Sequence, residues 1–94
     1  MVSFTGGVEA GERIVAKAGL KKIGMELGSN SPVIVMADCD FDLAVECSVS
    51  GAFWAAGQNC IGVQRIYVHR DVYDRFRDLF VAHTRGYRIG DKMD

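Results

Sequence analysis

Three short segments carry residue types that can do chemistry. The first is Gly57-Gln58-Asn59-Cys60-Ile61-Gly62, which sets a thiol in a polar loop between glycines. Most cysteines behave as small buried hydrophobes, and Cys39 and Cys47 read that way. Cys60 differs, because it follows a predicted helix and sits off any apolar stripe. Nucleophilic thiols need exposed, polar surroundings that stabilise the thiolate, so Cys60 is a candidate nucleophile. The second segment is Ile23-Gly24-Met25-Glu26-Leu27, where Glu26 interrupts an apolar run. An apolar setting favours the protonated form of a carboxylate and suits it to general-base work near neutrality. The plainer alternative is a carboxylate that faces solvent or caps the next turn. The third is Gly6-Gly7-Val8-Glu9-Ala10-Gly11, between a predicted strand and a predicted helix. Glycines there let backbone approach a phosphate, and a helix N-terminus offers it free N–H groups. The spacing is G-x-x-x-x-G, not the G-x-G-x-x-G of ordinary dinucleotide folds. Glu12-Arg13 stands where a P-loop requires Lys-Ser/Thr. An ordinary glycine turn before a helix is the competing reading.

Other candidates are weaker. His69 ends a predicted strand and His83 lies late in a predicted helix, where a cation suits the macrodipole. Both read as structural. Tyr67, Tyr73, Phe76 and Phe80 read as core, not as a stacking platform. The three cysteines are 8 and 13 residues apart, with no C-x-x-C. A disulfide scaffold and a structural zinc site are therefore not expected, and the thiols suit a reducing cytoplasm.

The elements that must position these residues follow from periodicity. Val2 to Thr5 reads as a strand end and Val8 to Ala18 as a helix, with Ile14, Val15 and Ala18 on its apolar stripe and Gly19 as its stop. Lys22 to Leu27 is a predicted strand and Gly28 to Ser31 a turn. Pro32 to Met36 follows as a strand whose run Val33-Ile34-Val35-Met36 predicts burial on both faces. Asp38 and Asp40 offer N-caps for a helix reaching about Ala56, apolar on most sides. Gln64 to Val68 is the next strand. Asp71 to Thr84 is an amphipathic helix with Val72, Phe76, Leu79 and Phe80 at i, i+4, i+7 and i+8. Arg88 to Asp91 could open another extended segment. Strands alternating with helices make the fold class α/β.

Composition sets limits on function. The chain has 94 residues, 49% of them hydrophobic and 24% charged, which suits a packed core and not a disordered chain. Eleven Lys and Arg against twelve Asp and Glu give a net charge of −1, so no basic face for nucleic acid is expected. No apolar run is long enough to span a bilayer, and no basic segment precedes one as a signal peptide requires.

Taken together the motifs resemble the aldehyde dehydrogenase superfamily. The matching pieces are Phe4-Thr5-Gly6-Gly7-Val8-Glu9-Ala10-Gly11, Glu26-Leu27-Gly28-Ser29-Asn30-Ser31-Pro32 and Gly57-Gln58-Asn59-Cys60, in the family's order and near its spacing. Asp38 to Ala44 and Arg65 to His69 look similar as well. The resemblance implies that Cys60 is the catalytic nucleophile and Glu26 the general base. It implies that Gly6 to Gly11, including Ala10, belong to the phosphate side of an NAD or NADP site, with Thr5 and Leu27 near the nicotinamide. Gly7, Ser29 and Ala10 depart from the commoner Ser, Gly and larger aliphatic residue, and bear on cofactor preference. The implied reaction is NAD(P)-dependent oxidation of a small aldehyde to a carboxylate. It runs through a Cys60 thiohemiacetal and thioester, with water activated by Glu26.

The implied fold is a central fragment of the family's structure. Residues 1–27 would end the Rossmann-like cofactor domain and residues 28–94 would begin the α/β catalytic domain. The strand at Val2 and the stop after Asp91 read as cut edges, so the fragment is expected to be inactive alone and its parent enzyme a homo-oligomer. A truncated, non-catalytic paralogue acting as a binding or assembly module is the alternative. A cofactor-free thiol hydrolase using Cys60 and Glu26 ranks last, since it leaves the glycine segment without a task.

Overall fold

Val2–Thr5 forms β1, with Val2 and Phe4 turned inward at the two-residue period of a strand. The chain turns at Gly6 and enters α1, Val8–Ala18. Gly6 has no room for a side chain, because a Cβ would stand 2.5 Å from the Phe4 ring. Gly11 and Ala18 are the buried residues of α1, with Ile14 half-buried between them. Ile14 and Ala18 lie on the stripe as predicted, but its third member is Gly11, at i, i+3 and i+7, and Val15 is exposed. Gly19 ends the helix at φ 63°, a conformation glycine adopts without strain. The chain returns as β2, Ile23–Glu26, parallel to β1 with Thr5 opposite Glu26. A computed structural model describes residues 1–91 and 93.

A second unit repeats the plan. β3, Ser31–Val35, is followed by α2, Phe41–Phe53, and by β4, Val63–Val68, parallel to β3. Each unit is thus a βαβ crossover on its own two-stranded sheet. Asp40 caps α2 by accepting from the Leu43 N–H at 3.2 Å, as predicted. A short 3-10 turn at Arg70–Val72 leads into α3, Tyr73–Thr84, so the last helix starts two residues after its predicted Asp71. His69 accepts from the Asp71 N–H at 3.3 Å and caps that turn.

The core lies in the second unit. Val35, Val45, Val49 and Phe76 are buried together, flanked by Val33, Ile66, Val68, Leu79 and Phe80. Phe76 meets Phe41 edge-on at 6.2 Å and stacks on Phe80 at 5.9 Å, which joins α2 to α3. Three expectations fail here. The run Val33 to Met36 is covered on one face only, since α2 and α3 pack on the Val33 and Val35 side while Ile34 is 71% exposed. Cys47 and the rings Tyr67 and Tyr73 are exposed and not core. Residues 88–91 form no strand.

Candidate active site

The three chemical segments converge on one cleft of about 480 Å³. It opens at the C-terminal ends of β1 and β2 and reaches the N-terminal end of β4. The carboxyl ends of parallel strands are where open α/β sheets place ligands, because loops diverge there and leave a crevice. Thr5, Gly6 and Gly7 form one wall. Glu26, Leu27, Gly28 and Ser29 form the second. Gly57, Gln58, Asn59 and Cys60 form the third.

β1 and β2 position the first two walls. The Gly6 N–H donates to the Glu26 carbonyl at 3.0 Å, so the ladder runs one residue past β1 before the chain leaves for α1. Glu26 is therefore fixed by its backbone, with its side chain free. It is exposed, so the apolar surroundings read from its sequence neighbours are not present around it. Half-buried Met25 and Leu27 flank it. Gly28 follows at φ 98°, which only glycine tolerates well, and turns the chain out of β2. Arg65 steadies this crossing from β4 by donating to the Asn30 carbonyl at 2.9 Å.

Gly11 and Ala10 stand apart from the cleft walls. Gly11 is buried, and a Cβ on it would stand 2.5 Å from Leu27 Cδ2. Its observed task is to let α1 close on Leu27, which itself lines the cleft. Ala10 is exposed in the first turn of α1. Gly7 is the N-cap of α1, has no side chain to satisfy the first-turn N–H groups, and would meet nothing within 4 Å if it carried a Cβ. That end of the helix has both the unpaired donors and the space that a phosphate needs.

The third wall departs from expectation in a useful way. α2 does not continue to Ala56. It stops at Phe53, and Ala55 and Ala56 turn to φ 52° and 55° before Gly57 at φ 76°. This left-handed stretch brings Cys60 back to the cleft instead of onward along the helix. Cys60 is exposed, as a reactive thiol requires, while Cys39 is half-buried.

Gln64 also lines the cleft and escaped the sequence reading. The pairing of β3 with β4 jumps from Ser31↔Val63 to Pro32↔Arg65, which leaves Gln64 unpaired on a bulge. A bulge re-aims a side chain, and this one sits beside the cleft. The available signal was Pro32, which has no N–H to give the ladder at that point. A wider hollow between His83 and Asp91 carries none of these residues. Among the described residues no helix is long and apolar enough to cross a membrane, and no group of three His, Cys, Asp or Glu could hold a metal.

Comparison with known proteins gives a consistent picture. The profile described as the aldehyde dehydrogenase family matches residues 1–94. An aldehyde-dehydrogenase-like protein of Sinorhizobium fredii is 66% identical over 93 residues, which are 99% of this chain and 18% of that protein. The crystal structure of glyceraldehyde-3-phosphate dehydrogenase from Methanocaldococcus jannaschii, complexed with NADP, is 42% identical with a TM-score of 0.94. That match covers 100% of this chain and 21% of the other. Betaine aldehyde dehydrogenase from Staphylococcus aureus, in complex with NAD+, is 36% identical with a TM-score of 0.89, over 96% of this chain and 18% of the other. The chain spans about a fifth of the length of the relatives it matches.

Proposed function

The chain belongs to the aldehyde dehydrogenase family, and from that premise we propose that the protein carrying it oxidises an aldehyde to a carboxylate with NAD or NADP. Cys60 is the nucleophile and Glu26 the general base. The observation that carries this reading is the cleft, which gathers Cys60, Glu26 and the Gly6-Gly7 turn from three distant parts of the sequence.

The residues fit the cofactor. The open N-terminus of α1 at Gly7 has space and unpaired N–H groups for the diphosphate. Thr5 and Leu27, on facing walls of the cleft, suit the nicotinamide side. When bound, the nicotinamide supplies the hydride acceptor.

The chain's own residues do the rest. The Cys60 thiolate attacks the carbonyl carbon and forms a thiohemiacetal, and the Cys60 backbone N–H is one candidate donor to the oxyanion. Loss of hydride from that carbon leaves a thioester on Sγ. Glu26 takes a proton from water, the water oxygen attacks the acyl carbon, and the C–S bond breaks to return the thiolate and release the carboxylate. Sulfur serves both halves, as a strong nucleophile and then a good leaving group.

Residues 1–27 are the end of the cofactor-binding domain and residues 28–94 the start of the catalytic domain. The separate β1–β2 and β3–β4 sheets support that division. These 94 residues are inactive without the rest of the family's chain. The test uses the intact protein with NAD, NADP and a panel of aldehydes, followed at the reduced-nicotinamide absorbance. Cys60→Ala is expected to abolish turnover. Glu26→Gln is expected to leave one burst of reduced cofactor and then stall at the thioester. Full turnover in Cys60→Ala, or steady turnover in the 94-residue chain alone, overturns the reading.

A further inference from the structure

The wall that carries Cys60 is built on a backbone that its sequence does not favour. Trp54 is followed by Ala55 (φ 52°, ψ 35°), Ala56 (φ 55°, ψ 30°) and Gly57 (φ 76°), three left-handed residues in succession. Residues with a Cβ avoid this region because it crowds the carbonyl oxygen, and such strain persists only where the surroundings enforce it. Two hydrogen bonds bridge the stretch. The Gln58 N–H donates to the Ala55 carbonyl at 3.0 Å, and the Asn59 side chain reaches back so that Nδ2 donates to the Trp54 carbonyl at 3.1 Å. The second spans the whole left-handed wind, from the residue before it to the residue that precedes Cys60.

The Asn59 amide is itself seated. A Cβ on Gly62 would stand 3.1 Å from Nδ2 and 3.2 Å from Oδ1, so the bare glycine makes room for it. The Gly62 N–H donates to the Asn59 carbonyl at 3.4 Å. The other end of the amide is unpaid: Oδ1 is buried without a hydrogen-bond partner. A lone buried acceptor is unfavourable for stability. An apolar residue at position 59 would avoid that penalty but would leave the wind without its bracket.

We propose that Asn59 is a positioning residue for the Cys60 thiol, bracketing the left-handed wind through the Nδ2 bond to the Trp54 carbonyl. It acts through the backbone it fixes, not by touching substrate. The proposal rests on the reading of Cys60 as the nucleophile, and it assigns the strain at Ala55 and Ala56 a task. Held wound, the segment aims Sγ into the cleft. Released, Ala55 and Ala56 relax toward ordinary helical or extended geometry and the thiol swings away.

The experiment compares Asn59→Ala and Asn59→Asp with the parent in the intact protein. Asn59→Asp keeps the shape and loses the Nδ2 donor. Alkylation of Cys60 by iodoacetamide is read at that peptide by mass spectrometry, beside kcat, KM and the melting temperature. Both variants are expected to slow alkylation and lower kcat about tenfold, the equivalent of about 1.4 kcal/mol, with KM unchanged. Adding Ala55→Gly and Ala56→Gly to Asn59→Ala is expected to restore most of the rate, because glycine adopts positive φ without strain. Parent-like alkylation in both variants overturns the proposal. So does a loss that follows a lowered melting temperature and is not rescued by the glycines. Turnover that survives Cys60→Ala overturns the nucleophile reading instead, and alkylation still reports on the bracket.

Discussion

At the scale of single residues, the cleft depends on what one glycine leaves out. Gly11 lets α1 rest on Leu27, and Leu27 is part of the wall. Gly11→Ala is expected to push the Leu27 side chain toward the cleft and to destabilise the protein by roughly 1–3 kcal/mol, as overpacking does. A thermal melt and cofactor titration check both effects, and an unchanged cofactor affinity would separate the packing role from the wall. Charged residues on the surface contribute less. Arg77 bonds Asp78 at 2.8 Å and Asp74 at 2.8 Å on α3. Its guanidinium pKa is raised, mainly by the Asp78 hydrogen bond and then by the Asp78 charge. A raised folded pKa gives stability that is lost only as pH climbs through it, which for a guanidinium lies far above neutrality. Arg77→Gln is therefore expected to leave the melting temperature nearly unchanged across the neutral range, in low or high salt. Most residues that line the cleft were readable because their types are rare in such settings: a cysteine in a polar loop between glycines, a glutamate within an apolar run. The surroundings of Glu26 were not readable, because β2 half-buries Gly24 and Met25 and leaves Glu26 exposed at its end.

At the scale of elements, local signals and tertiary fit divide the work. The cap at Asp40 is a local signal, and Asp40→Ala is expected to lose about 1 kcal/mol through the orphaned first-turn N–H of α2. Chemical denaturation measures it. The periodicity that placed Phe76, Leu79 and Phe80 inward in α3 is equally local and holds in the fold. The end of α2 was not legible in the same way. Phe53-Trp54-Ala55-Ala56 has good helix formers, and nothing in their side chains announces a left-handed turn. The break is imposed by hydrogen bonds from Gln58 and Asn59, beyond the residues that bend. The bulge at Gln64 has a similar origin, in a proline on the neighbouring strand.

At the scale of the whole molecule, these 94 residues are spread thin. Their radius of gyration is 17.9 Å, whereas a closed globule of this length has about 12 Å. Their accessible surface is 7607 Å², against about 5,400 Å² for a compact protein of this mass. Leu43, Ile34, Trp54 and Ile61 are more than half exposed, so apolar faces of α2, β3 and the Cys60 loop lie open. The 94-residue chain made alone is expected to bind a hydrophobic dye and to melt without a sharp transition. Sharp, dye-free melting of that chain would show that the five buried apolar side chains among the described residues suffice. The two sheets have a further consequence, for the order of events in folding. Each βαβ unit closes over its own stretch of chain, yet Glu26 belongs to one and Cys60 to the other. Neither unit holds all three walls of the cleft, so folding can finish both halves before the cleft exists. The cleft is then a late feature of folding, closed only when the second unit settles against the first across Gly28.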